Sequence, residues 1–466
     1  MSTTPGTSAD PADLDAGELS QAYALGAVTP LQAVEALLAR IEAEDGRLGA
    51  YVDVYRDEAI MAARSATEAY RAGAQVGPWH GVPIAVKDLV EIGGKPCLAG
   101  AASRRGMVSQ TTATLVRRLR GHGAIVLGKT HTVEFAYGGW GTNALMGTPR
   151  NPWDASVHRT PGGSSSGSAV AVAARLAPWA IGTDTGGSVR TPAAFNGLTG
   201  LKVSHGRVSL HGIVPLCPSL DTPGFITRSV GDAASLLEML QGPDPRDPST
   251  AGVAPVEVRD GLSRGVRGLR LARMPQHDRL GCEAAVLDAY DRAVAQLADL
   301  GAEIVDVELP MPLADYTTHS AVMLAEAHAM YGALAADAAV AMDPAVRARI
   351  LAGDMPASRY LQARWAREDN AAAFVRALGD ADVLLTPTVR TAAIPVDSVD
   401  ERTTPAILTR VVNQLNLCAL AVPAGFNAEG LPLSLQIIGR RHQEAMVLRV
   451  GQAYQEATSW HLRSPR

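Results

Sequence analysis

The chain has 466 residues, of which 47% are hydrophobic and 19% charged, and its formal net charge is −5. Such apolar content suits a buried core and argues against a disordered chain, while the negative balance argues against a nucleic-acid binder driven by a global positive field. Cys97, Cys217, Cys282 and Cys418 lie far apart with no C-x-x-C pair, which argues against a disulfide framework or a structural zinc site and for a reducing compartment.

The opening residues, MSTTPGTSADPADLDAG, hold neither a basic start nor an apolar stretch, so 1–17 reads as a disordered lead-in and not as a signal peptide. Thr29-Pro30 then signals a helix start, with Thr29 as cap, and Leu31, Val34, Leu37, Leu38 and Ile41 recur at helical spacing over 30–44. A second helix is predicted over 56–72. Gly81-Val82-Pro83 leads into the apolar run Ile84-Ala85-Val86, a buried strand ending in the charged pair Lys87-Asp88. Residues 112–120 read as a helix and Ala124-Ile125-Val126-Leu127 as another buried strand; 168–177 is an Ala/Val-rich helix leading to strand Trp179-Ala180-Ile181-Gly182. The apolar region 168–182 is interrupted by Arg175 and Pro178, too short and broken to cross a bilayer. Residues 241–262, rich in Pro, Asp and Gly, read as a surface excursion. A strand near 269–272, helix 283–300, strand 302–308, a helical middle (318–378), strand 383–386 and a last strand near 431–438 follow. The alternation implies an α/β fold in a single domain over 18–466, with no internal repeat.

Three stretches invite a chemical reading. Gly123-Ala124-Ile125-Val126-Leu127-Gly128-Lys129-Thr130 matches the letters of a phosphate loop, but the residues between its glycines form an apolar β-run whose N–H groups belong in a sheet. Gly163-Ser164-Ser165-Ser166-Gly167 matches the nucleophile elbow and would nominate Ser165; the motif needs a preceding strand, and His158-Arg159-Thr160-Pro161-Gly162 is loop. The third is Gly182-Thr183-Asp184-Thr185-Gly186-Gly187-Ser188-Val189-Arg190. Its glycines let backbone N–H groups approach an anion, and Asp184 and Arg190 flank the turn as a pair able to hold it rigid.

Residues 162–193, GGSSSGSAVAVAARLAPWAIGTDTGGSVRTPA, resemble the signature block of the amidase signature family. Gly81–Asp88, Gly128-Lys129-Thr130 with Glu134–Gly138, Gly200–Lys202 with Gly206–Ser209, and Gly430–Gln436 are similar to further motifs of that family, so the resemblance spans roughly 18–460. It implies a central mixed β-sheet surrounded by α-helices, no cofactor and no metal. It also implies a Ser-cisSer-Lys triad of Ser188 as nucleophile, Ser164 as bridging serine after a cis Gly163–Ser164 bond, and Lys87 as ultimate base. The N–H groups of Thr185, Gly186, Gly187 and Ser188 are the implied oxyanion hole, with Asp184 and Arg190 in support.

The residue chemistry fits that implication. A serine hydroxyl needs a base, and a lysine becomes one only when desolvation favours its neutral amine. Lys87 closes an apolar strand, and Asp88, its neighbour along that strand, is expected to point the other way. Ser165, Ser166 and Ser168 read as loop formers and caps. Tyr137, Gly138, Gly139 and Phe195 are the expected substrate pocket, with Trp140 beside them.

The expected activity is hydrolysis of the C–N bond of a carboxylic amide, with esters or carbamates open to the same acyl transfer, in a cytoplasmic monomer or homodimer that binds a small molecule and neither nucleic acid nor membrane. The alternative is the A-type glutaminase subunit of a tRNA-dependent amidotransferase. Against that alternative, Thr191 follows Arg190 where glutamine is expected, and no glutamine-anchoring segment is recognisable within 318–370.

Overall fold

Capping chemistry starts the first long helix where the sequence predicts it. In a computed structural model describing residues 10–316 and 321–465, the Thr29 hydroxyl accepts the Gln32 N–H at 3.2 Å and the Gln32 side chain accepts the Thr29 N–H at 2.9 Å. Pro30, whose missing N–H is not needed there, opens the helix Pro30–Leu48. Most of the expected lead-in (1–9) and the start of the expected helical middle (318–320) lie outside the described residues. Within the lead-in, Pro11–Asp13 form one turn of 3-10 helix and Ala16 begins the helix Ala16–Ala24.

Eleven strands among the described residues form one mixed sheet. In chain order they are β1 (Tyr51–Val54), β2 (Pro83–Lys87), β3 (Ile125–Thr130), β4 (Trp179–Asp184), β5 (Thr199–Lys202), β6 (Thr222–Thr227), β7 (Arg270–Arg273), β8 (Glu303–Val305), β9 (Val383–Pro387), β10 (Cys418–Phe426) and β11 (Pro432–Gly439). Their spatial order is β1-β3-β2-β4-β6-β5-β10-β11-β9-β7-β8. The β3-β2-β4 group is parallel, as is β9-β7-β8, and antiparallel pairs join the two groups. The letters of the phosphate-loop match therefore lie on and just before β3.

Both faces of the sheet are covered, and strand alternation sorts side chains between them. Ile84 and Val86 of β2, with Trp179 and Ile181 of β4, enter one apolar cluster, alongside Leu115 and Leu119 of the helix Thr114–Gly121 and Leu236 and Leu237 of the helix Val230–Leu240. Ala85 and Ala180 face the opposite cluster, under Val34, Leu37 and Leu38 of the helix Pro30–Leu48 and Ala169–Ala173 of the helix Ser166–Ala173. Lys87 shares the parity of Ala85, which sends it toward the serine-rich segment that begins the latter helix.

Four strands, β1, β5, β6 and β10, are not predicted from sequence. Gly200 in β5, Pro223-Gly224 in β6 and Pro423 with Gly425 in β10 break their apolar runs. Gly200 is there for packing: a Cβ on it would meet the Ala193 Cβ at 2.7 Å. The helical middle is three helices, Ala321–Ala336, Pro344–Leu351 and Ala357–Ala377. The excursion 241–262 is pinned by Arg118, which donates to the Leu240, Gln241, Gly242 and Pro243 carbonyls.

Candidate active site

Lys87 and Thr183 stand at the C-terminal ends of the neighbouring parallel strands β2 and β4, the end of a parallel sheet where ligands gather. The Lys87 Nζ is fully buried and donates to Ser164 Oγ at 2.7 Å and to Thr183 Oγ1 at 2.8 Å. Burial disfavours its charged form and brings its pKa down to about 7, although the Asp184 and Asp221 carboxylates oppose the shift. Asp88 points away, as expected, and forms a buried ion pair with Lys129 of β3 at 2.7 Å.

The serine segment precedes the helix Ser166–Ala173, and its Gly163–Ser164 bond is cis. The Ser164 carbonyl accepts the Thr132 hydroxyl at 3.0 Å and the Val133 N–H at 3.2 Å. Ser165 has no reach to chemistry: its Oγ bridges the Thr183 N–H and carbonyl, both at 3.2 Å, and its own N–H donates to the Ser188 carbonyl at 3.2 Å. It staples the serine segment to β4 and to the Ser188 turn. Ser168 bonds the Ile181 carbonyl at 3.0 Å, a similar structural use.

Asp184 organises the turn that follows β4. One carboxylate oxygen accepts the Gly187 N–H at 2.7 Å and Arg190 Nη2 at 2.9 Å, the other the Val189 N–H at 3.1 Å and Arg190 Nε at 3.0 Å. Burial alone would raise the Asp184 pKa; the Arg190 guanidinium, with Lys202 and Asn413, holds it well below the usual carboxylate range. Arg190 in turn donates to Gln436, Asn413 and the Thr409 carbonyl, so every face of the buried pair is occupied. Gly187 has a φ of 129°, and a Cβ there would meet Thr409 Oγ1 at 2.1 Å.

These bonds amend the expected oxyanion hole. The Gly187 N–H belongs to Asp184, while the N–H groups of Thr185, Gly186 and Ser188 make no hydrogen bond with any described residue. Thr185 is fixed by its hydroxyl, which donates to Asp221 at 2.5 Å; Asp221 also accepts the Leu216 and Cys217 N–H groups. Burial raises the Asp221 pKa to about 6 against those hydrogen bonds.

Ser188 is 8% exposed and stands in the wall of a cleft of about 220 Å³. Its hydroxyl forms no hydrogen bond with Ser164 or any other described residue. Tyr137, Gly138, Gly139, Gly163, Thr185, Gly186 and Gly187 line the same cleft, so three of the four expected pocket residues reach it. Phe195 does not: it is fully buried, stacked on Trp140 at 6.3 Å and packed with Val389 and Ala393.

Sequence reasoning missed the charged wall of the cleft, Arg349, Glu401, Arg402 and Arg410. Arg349 comes from the segment 318–370 and donates to the Tyr137 carbonyl and the Glu401 carboxylate, both at 2.6 Å. It also missed Thr183 and Asp221; only strand pairing, which a single sequence does not display, brings them beside Lys87 and Thr185.

The family model described as Amidase matches residues 32–448. The chain belongs to the amidase signature family. Among curated relatives it is 37% identical to the A subunit of the glutamyl-tRNA(Gln) amidotransferase of Chloroflexus aurantiacus, across 96% of each chain. Among solved structures it is similar to the native peptide amidase of Stenotrophomonas maltophilia, at 31% identity over 97% of each chain and a TM-score of 0.85. It is also similar to a chain of a vestigial protein complex that reveals the evolutionary origins of an s-triazine catabolic enzyme, at 29% identity over 95% of this chain and 98% of that one, with a TM-score of 0.89.

The mixed sheet wrapped by helices is thus the amidase-signature fold. The expected partner set is corrected: relatives that match this chain over nearly its whole length are subunits of an amidotransferase named for glutamyl-tRNA(Gln), which overturns the expectation of a monomer or homodimer unconnected with nucleic acid. Among the described residues, no helix is long and apolar enough to cross a membrane.

Proposed function

We propose that this chain is a serine amidohydrolase serving as the ammonia-releasing A-type component of a multi-subunit amidotransferase, with the side-chain amide of glutamine as substrate. The observation that carries the reading is one cleft that joins the Ser188 turn to a wall of Arg349, Glu401 and Arg410, charges suited to a zwitterionic amino-acid amide. The near full-length likeness to amidotransferase subunits of the A type supports it. Arg349 lies within 318–370, the segment in which the sequence shows no recognisable glutamine anchor. Thr191 remains a departure from the expected glutamine.

In this reading the neutral Lys87 amine takes the Ser164 proton while Ser164 takes that of Ser188, whose oxygen attacks the amide carbon. The N–H groups of Thr185, Gly186 and Ser188 receive the developing oxyanion. Collapse expels ammonia, protonated back through the relay, and leaves an acyl-enzyme on Ser188 that water hydrolyses by the same route. Esters and carbamates share this acyl transfer and belong in the same assay.

The test measures ammonia release from glutamine, an aliphatic amide, an anilide and a carbamate, by the chain alone and by the assembly that co-purifies with it at native abundance. Glutamine turnover, rising in the assembly, is expected. Fast turnover of neutral amides by the lone chain, with none of glutamine in either preparation, would overturn the reading.

A further inference from the structure

Among the described residues, one cation in the cleft has no counter-ion. Of the three arginines in its wall, Arg349 is paired with Glu401, the sole carboxylate among the lining residues, and Arg402 with Asp400 at 2.9 Å. Glu401 also accepts the Thr142 hydroxyl. The Arg410 guanidinium makes no hydrogen bond or ion pair with any described residue. Its ionisable neighbours are Tyr137 and Arg349, neither an anion in its ordinary state, and burial pushes its pKa down against its charge. The side chain is only part-buried and its guanidinium opens onto the cleft, where an anion from outside the chain can pair with it.

Its position is also built. Arg410 lies on the helix Ile407–Gln414, which is tied to the Ser188 turn on both sides of it. Thr409 donates its hydroxyl to the Gly186 carbonyl at 2.8 Å and accepts Arg190 Nη1 on its own carbonyl at 2.9 Å, while Asn413 donates to the Asp184 carbonyl at 3.0 Å. The Arg410 stem runs along Gly186, where a Cβ would meet its Cγ at 3.2 Å and its Nε at 3.9 Å. The Arg410 side chain is therefore held beside Gly186, in the cleft wall that also carries Thr185 and Ser188.

We propose that Arg410 is the counter-ion of a carboxylate on the acyl part of the substrate, so that the site selects half-amides of short dicarboxylic acids, glutamine with its α-carboxylate among them. The inference rests on the amidohydrolase reading in one respect: if ammonia is the leaving group, it carries no carboxylate, and the anion has to sit on the acyl chain. One spare cation suits a monoanion, and the planar fork of a guanidinium matches a carboxylate bidentately. Arg349 then serves the cleft through Tyr137 and Glu401, and Arg410 discriminates.

The test separates binding from turnover. Calorimetric titration of the Ser188→Ala chain compares glutaramate with pentanamide, which has the same carbon chain and amide but no carboxylate. Glutaramate is expected to bind roughly tenfold or more tighter; Arg410→Met in that background is expected to erase the difference, and Arg410→Lys to keep part of it. With Ser188 intact, Arg410→Glu is expected to move the preference in kcat/KM toward 5-aminopentanamide. Equal binding of the two ligands, or an undiminished glutaramate preference in both Arg410→Met and Arg410→Lys, would overturn the proposal. Absence of ammonia release from every amide would sink the amidohydrolase reading instead, and the titration would still decide Arg410.

Discussion

Lys87 Nζ donates to the Thr183 hydroxyl at 2.8 Å, a bond between the ends of two neighbouring parallel strands that aims the amine at Ser164, 2.7 Å away. Thr183 lies outside the cleft lining, so it acts on the reaction only by holding Lys87. Thr183→Val, which keeps the shape and removes the acceptor, is expected to lower kcat roughly fivefold, in line with about 1 kcal/mol for one neutral hydrogen bond. KM should move little. A steady-state comparison on glutamine checks the split, and a rise in KM with kcat unchanged would speak against a positioning role.

The pH dependence follows from the direction of the Lys87 shift. Its amine is neutral above about 7, so kcat/KM is expected to climb through that pH and then level off. Asp221 works against the shift, because its anion favours the ammonium. Asp221→Asn should therefore move the acid limb to lower pH, while the loosened Thr185 reduces the plateau. Lys87→Arg, always charged, should be inactive across the whole range.

The Asp184–Arg190 pair sits at zero exposure on both sides and fixes the Ser188 turn. Asp184→Asn leaves the guanidinium buried and unpaired, and is expected to cost about 3–5 kcal/mol of unfolding free energy in a denaturant titration. Since the Asp184 pKa is depressed, the pair's contribution is complete above the ordinary carboxylate value of 3.8 and fades only as pH falls toward the depressed one.

The adjacent serines should behave differently. Ser165 bonds only backbone groups, so Ser165→Ala is expected to lower stability by about 1–2 kcal/mol and to leave kcat within about tenfold of the parent. Ser164→Ala removes the hydroxyl that Lys87 touches and should lower kcat by roughly 10³-fold or more. Parallel ammonia-release assays and thermal melts check both.

Much of this is legible in the chain. Apolar runs mark β2, β3 and β4, Thr29-Pro30 marks the first long helix, and strand alternation rightly turns Asp88 away from Lys87. What is hidden depends on partners distant in sequence. Glycine and proline disguise β5, β6 and β10, whose membership in the sheet comes from close packing and pairing. Thr183 looks like any strand threonine until β2 lies beside it. Gly187 reads as an anion donor because nothing local says that the Asp184 side chain folds back onto its N–H. Phe195 reads as a pocket aromatic, and only the stack on Trp140 shows it to be core. Arg349, Glu401 and Arg410 come from three segments without a motif, and the cleft alone unites them.

The proposed covalent step on Ser188 is tested most directly by trapping it. The chain in its native assembly is mixed with glutamine, quenched in acid within the first turnovers, digested and mapped by mass spectrometry. A glutamyl adduct on the peptide carrying Ser188, absent from Ser188→Ala, is the expected result. An adduct on Ser165 or Ser164 in the active protein, or turnover by Ser188→Ala at the parent rate, would contradict it.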